Sequence, residues 1–198
     1  MARPRATAPK AVMSNHGSGA HEAVTGDCPE HDVMSPAAHA QGICLRLLTT
    51  RPRSRAELAG ALRRRGIAEE VGESVLDRLG QLGLVDDAAL AEATVYSDHR
   101  HRGLGRRALS NELRRRGVSD EVVRDAVAKV GPEDEEQRAH ELVRRKLRTN
   151  ATQETGALAR RLCAMLVRKG YSEGLAWRVV RDELSPTHWP DEIESRLD

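Results

Sequence analysis

Phenylalanine is absent from this 198-residue chain, and the other large aromatics amount to two tyrosines and two tryptophans. Packing must therefore fall to leucine, valine and alanine, with few flat side chains to share the work. Cysteine is scarce too: Cys28, Cys44 and Cys163 are odd in number and widely spaced, which fits neither a disulfide framework nor a zinc-ribbon pattern. No apolar run is long enough for a membrane span or the core of a signal peptide, so a soluble protein in a reducing, cytoplasmic setting is expected, with no membrane partner. Charge of one sign is not in excess either. The chain carries 32 Lys and Arg against 30 Asp and Glu, a net charge of +2, and bulk electrostatics alone does not call for a nucleic-acid partner. Nor is there a convincing nucleophile–base pair or metal constellation. Cys28 and His31 lack a second closely spaced pair, and with His16, His21 and His39 they read as scattered residues of a tail. The expectation is a non-enzymatic protein without cofactor or catalytic residues.

What the chain does contain is a repeat. A helix-like stretch ending in leucine, basic residues and glycine occurs at residues 58–66 (LAGALRRRG), 109–117 (LSNELRRRG) and 162–170 (LCAMLVRKG). The closing glycines, Gly66, Gly117 and Gly170, are 51 and 53 residues apart, so one small helical unit is used three times. After each glycine the apolar positions line up again as Ile67, Val118 and Tyr171, then Val71, Val122 and Leu175, then Val75, Ala126 and Val179. That spacing of four is one face of a helix. Glycine reaches positive φ without steric cost and suits the end of the first helix, and Ser119 and Ser172 are placed to cap the next one. Ser54-Arg55-Ala56-Glu57 has the capping-box pattern. A unit of about fifty residues buries little apolar area alone, and tandem units normally lean on their neighbours. The fold class expected is therefore all-α, an elongated array of three tandem three-helix, helix-turn-helix-like repeats.

The organisation follows. Residues 1–37, rich in Pro, Gly, Ser, Ala and His, read as a disordered N-terminal extension. Repeats occupy 38–85, 86–130 and 131–185, and 186–198 form an acidic C-terminal tail. Pro52 stops the first helix, Gly83 ends the first repeat, and Asp86 or Asp87 caps the next helix. Gly103 and Gly105 resemble a fragment of a phosphate loop but lack the preceding strand and following lysine, so they read as a turn. Pro132 opens the third repeat, with acids in its first turn and Arg144, Arg145, Lys146 and Arg148 in its last.

Charge is unevenly placed. Between Arg100 and Arg116 stand Arg100, Arg102, Arg106, Arg107, Arg114, Arg115 and Arg116 against the single acid Glu112. On a helical wheel Leu104, Ala108, Leu109 and Leu113 share one half and Arg106, Arg107, Ser110, Asn111 and Arg114 the other, with Glu112 in the apolar half within reach of Arg116. The corresponding outer faces are Arg55, Ala56, Ala59, Gly60 and Arg63 in the first repeat and Ala159, Arg160, Cys163, Ala164 and Val167 in the third. The repeats share a core but not a surface, and the middle one is specialised for anions. Tyr96, Tyr171, Trp177 and Trp189 do not alternate with the basic positions, so stacking is not expected to contribute, and the surface should read charge and shape.

Several stretches taken in order resemble one family. They are Gly83-Leu84-Val85-Asp86-Asp87 with Ala91, Gly103-Leu104-Gly105, Glu112-Leu113-Arg114-Arg115-Arg116-Gly117, Glu135, Ala139 and Lys146, Arg161-Leu162, and Gly170-Tyr171-Ser172. Over roughly residues 38–184 the chain is similar to RecX, the bacterial regulator of RecA recombinase. The resemblance implies a non-enzymatic, all-α protein of three tandem three-helix units that binds the groove of the RecA–DNA filament and restrains RecA's ATPase and strand exchange. The N-terminal extension lies outside the family's usual core. Where the family often has an aromatic after the repeat glycine, only Tyr171 keeps it; Ile67 and Val118 are aliphatic.

The function expected is thus inhibition of RecA ATPase, recombinase and coprotease activity in DNA repair and the SOS response, by a monomer that reaches DNA weakly or through the filament. Arg106, Arg107, Arg114 and Arg115 are the first candidates for contact with RecA or DNA, and Arg100, Arg102, Arg144, Arg145 and Lys146 the second. An alternative is a helix-turn-helix protein acting directly on duplex DNA, which needs base-reading Asn, Gln or Arg early in a recognition helix. The helices opening at Glu69 and Asp120 begin instead with acids, which repel phosphate.

Overall fold

A computed structural model describes residues 35–149 and 155–184. The N-terminal extension with its Cys28–His31 pair and the acidic C-terminal tail lie outside the described residues. Among the described residues there are nine α-helices, one π-helical turn and no strand. The first repeat is α1 (Pro36–Leu48), α2 (Arg55–Arg63) and α3 (Glu69–Gln81); the third is α7 (Pro132–Leu147), α8 (Thr155–Arg168) and α9 (Glu173–Glu183). The second has α4 (Asp87–Ser97), the π-helical turn Asp98–Arg102, α5 (Arg106–Arg115) and α6 (Asp120–Ala128).

Local signals account for most boundaries. Ser54 and Glu57 form the reciprocal capping box at α2. Ser172 accepts from the Leu175 amide at 3.2 Å, and Asp86 from the Ala89 amide at 2.9 Å. Ser119 occupies the corresponding position at α6, but its side chain makes no capping bond. Gly66, Gly117 and Gly170 take φ of 73°, 78° and 91°, the left-handed region that costs any residue with a Cβ.

The core falls into three clusters, one per repeat. Each buries the same leucine pair of the repeated motif: Leu58 and Leu62, Leu109 and Leu113, Leu162 and Leu166. Removing a leucine side chain from water contributes about 1.5–3 kcal/mol, so this pair is a principal source of each repeat's stability. Tyr171 is fully buried and Trp177 packs against the third cluster. One surface expectation is corrected. Ala159 and Cys163, assigned to the outer face of the third repeat, are buried, because α8 packs against both α7 and α9 and has little free circumference.

Between repeats, main-chain groups at helix ends and the Ser54 hydroxyl make the join. The Lys169 carbonyl at the end of α8 accepts from the Gly105 amide at 2.8 Å, and the Gly170 carbonyl from the Arg107 amide at 3.3 Å, both at the start of α5. In turn the Arg116 carbonyl closing α5 accepts from the Ser54 hydroxyl at the start of α2. Helices α8, α5 and α2 thus meet end to start. Carbonyls and amides left over at helix ends satisfy one another, and the negative end of each helix dipole faces the positive end of the next. The approach is close: a Cβ on Gly117 would collide with Ala56, and one on Gly170 with Ala108, whereas one on Gly66 has nothing within 4 Å among the described residues.

Candidate functional site

The junctions decide which arginines are available. Arg116, third of its basic run, is 15% exposed; it donates to the Thr94 hydroxyl of α4 at 3.1 Å and reaches into the first repeat to the Pro52 carbonyl at 2.9 Å and Glu57 at 3.1 Å. The expected Glu112–Arg116 pair does not form. Arg116 lies past the last turn of α5, where the neighbouring repeat is nearer than Glu112, and Glu112 pairs with Arg115 instead at 2.6 Å. Glu57 collects Arg51 at 2.9 Å as well as Arg116. Burial pushes its pKa up, but hydrogen bonds from Arg51, the Ser54 amide and Arg116 outweigh that and hold it down at about 2.

Arg106, Arg107 and Arg114 come together. With Arg124 of α6 they line a shallow groove of about 370 Å³ that also includes Gly170 and Ser172. The start of α5 is fixed there by the Arg106 amide on the Glu135 carboxylate at 2.8 Å and the Arg107 amide on Gly170. Arg114 pairs with Asp120 at 2.7 Å yet stays 51% exposed. Among the described residues, Arg106, Arg107 and Arg124 make no ion pair. Exposed pairs such as Arg114–Asp120 contribute about 0.2–1 kcal/mol and open readily for a competing anion. Sequence reading missed Arg124 by counting cations along segments. Its signal is that Val123, Ala126 and Val127 are the buried face of α6, which turns position 124 outward.

The remaining candidates divide. Arg102, Arg145 and Lys146 gather around Lys169, whose ammonium donates to the Arg102 carbonyl at 2.5 Å. Burial and then the repulsion of Arg145, Arg102, Arg138 and Lys146 lower the Lys169 pKa. Arg102 also pairs with Asp98 at 2.8 Å. Arg100 lies over the Tyr96 ring, 5.8 Å from its centre, which corrects the expectation that no aromatic joins the basic positions. The chain reaches this through a π-helical turn that the apolar periodicity does not signal. Arg115 faces a separate groove with Glu112, and Arg144 is held at 2.8 Å by Glu183, which also meets His140 at 2.6 Å.

Cys44 and Cys163 are buried core residues with free thiols. Burial raises both thiols, Cys163 to about 12 with a contribution from Glu173. No helix among the described residues is long and apolar enough to cross a membrane.

Fold and surface together define a tandem array of three-helix repeats carrying clustered arginines. Sequence models of the first, second and third three-helix domains of RecX match residues 40–79, 86–127 and 133–180, and the chain belongs to the RecX family. It is 56% identical over 147 residues to a protein named Regulatory protein RecX from Thermobifida fusca, covering 74% of this chain and 80% of that one. A protein of the same name from Mycolicibacterium smegmatis is 48% identical over 158 residues, covering 78% and 84%. The crystal structure of RecX from Lactobacillus salivarius shares the fold at a TM-score of 0.68 and 18% identity, covering 74% of this chain and 96% of that one.

Proposed function

We propose that this chain is a non-enzymatic, cytoplasmic regulator that binds the RecA–DNA filament as a monomer and restrains RecA's ATPase, recombinase and coprotease activities in DNA repair and the SOS response. The observation that carries the reading is the groove of Arg106, Arg107, Arg114 and Arg124, where four cations face one opening and three have no ion pair among the described residues. Four cations against the lining carboxylate of Glu135 and the Asp120 partner of Arg114 leave the groove net positive, and a phosphate chain or an acidic protein surface balances that charge. Membership of a family whose relatives are named regulatory proteins supports the same reading. Direct reading of duplex DNA is disfavoured by the acids that open α3 and α6, Glu69, Glu70, Asp120 and Glu121.

The test is RecA-dependent ATP hydrolysis on single-stranded DNA, with and without the protein. Inhibition is expected for the natural chain and its loss for the double variant Arg107→Glu/Arg114→Glu, with helicity by circular dichroism unchanged. Inhibition retained by that folded variant contradicts the assignment.

A further inference from the structure

The cations around Lys169 and the exposed Tyr96 lie at the two ends of one short element, the π-helical turn Asp98–Arg102 that joins α4 to α5. Tyr96, in the last turn of α4, is 64% exposed although tyrosines ordinarily bury most of the ring. Arg100 donates to its phenol oxygen at 3.0 Å and lies over the ring, which puts an exposed aromatic and a cation together at the edge of a groove of about 810 Å³. Val95, Ala126 and Val130 give that groove an apolar lining. Its acids Glu92 and Glu141 are each paired at 2.5 Å, with Lys129 and Arg138, and Asp134 makes no ion pair among the described residues.

The turn is held from the third repeat. Arg138 donates to the carbonyl of His99 at 3.3 Å and to that of Arg100, and Lys169 to that of Arg102. These carbonyls leave an irregular helix end, and charged side chains from a neighbouring repeat satisfy them. The platform is therefore fixed before any ligand arrives. Beyond it Arg102, Arg138, Arg145, Lys146 and Lys169 converge, against Asp98 and Glu141.

We propose that Tyr96 is a base-stacking residue: with Arg100 it receives one unpaired base of a single-stranded nucleic acid, whose adjoining phosphates lie on the cluster of Arg102, Arg145 and Lys169. An aromatic face beside a cationic track suits a single strand, because every base has a π-face and every nucleotide a phosphate. A duplex keeps its bases stacked inside and has none to offer. An acidic protein surface uses the cations but gives the ring no flat partner. The proposal deepens the filament reading and rests on it only for the choice of polymer, so its first measurement is binding to a strand without RecA, and RecA's ATPase is read separately.

Binding of the full-length chain to a fluorescein-labelled oligothymidylate, and to an abasic strand of equal length, is measured by anisotropy. Tyr96→Ala is expected to weaken oligothymidylate binding roughly tenfold and to leave the abasic strand unaffected, since stacking is the interaction removed. Tyr96→Phe, which keeps the ring, should retain most of the affinity, and Arg145→Gln should weaken both strands alike. Three results overturn the proposal: Tyr96→Ala binding oligothymidylate as the natural chain does, the variant losing both strands equally, or the variant losing only inhibition of RecA, which makes the platform a protein contact. If base-dependent binding holds while the natural chain leaves RecA's ATPase untouched, the filament reading fails and the stacking assignment stands.

Discussion

The buried Ser54 hydroxyl donates to the Arg116 carbonyl at 2.5 Å while accepting from the Glu57 amide at 3.1 Å, so one oxygen caps α2 and ties the first repeat to the second. Ser54→Ala removes an N-cap worth about 1 kcal/mol and leaves a carbonyl without its partner at about 1–3 kcal/mol. Urea unfolding should show a loss of about 2–4 kcal/mol.

Acid should loosen the same junction. Glu57 titrates at about 2 in the folded chain, below its ordinary 4.5, so it contributes stability that is present above pH 4.5 and is lost as pH falls through about 2. The Glu183 carboxylate is shifted in the same direction: burial raises it, but Arg144 and His140 outweigh that. Denaturant midpoints measured across this range should fall more steeply for the natural chain than for Glu57→Gln, which has no carboxylate to protonate.

Two glycines with similar backbone angles should answer differently to alanine. Gly66→Ala meets open space and bears only the cost of positive φ, about 1–2 kcal/mol. Gly170→Ala adds a collision with Ala108 in the preceding repeat, and overpacking of that kind costs about 1–3 kcal/mol more. Thermal melting should place Gly170→Ala well below Gly66→Ala, or find it unfolded.

The groove should show in salt dependence. If Arg107 and Arg124 each neutralise one phosphate of a single strand, replacing either with alanine makes the log–log salt slope of binding shallower by about 0.7. Arg116→Ala should lower stability and leave the slope alone, because that side chain is committed to Glu57, Pro52 and Thr94.

The helices were legible because their signals are local. A leucine pair four residues apart and a glycine mark each helix–turn–helix, and the buried pairs Leu58–Leu62, Leu109–Leu113 and Leu162–Leu166 follow from that spacing. How the repeats abut was not legible. Arg114, Arg115 and Arg116 are neighbours of one type, yet they end on Asp120, Glu112 and Glu57, and the last of these is chosen by the contact between repeats. Arg124 was overlooked and Tyr96 set aside for a related reason. One gains meaning from the α5 arginines across a groove, the other from a π-helical turn, and no periodic count includes either.

Sealing the seams with peptide groups has an evolutionary corollary. Every amino acid but proline supplies the same amide and carbonyl, so after a duplication each copy can rewrite its outward side chains, becoming cationic in one place and acidic in another, without slipping out of register. Selection then has to keep the few glycine and alanine positions at the seam small and to hold a handful of side chains there, Ser54 and Arg116 among them, while the outward faces diverge with little effect on how the copies fit.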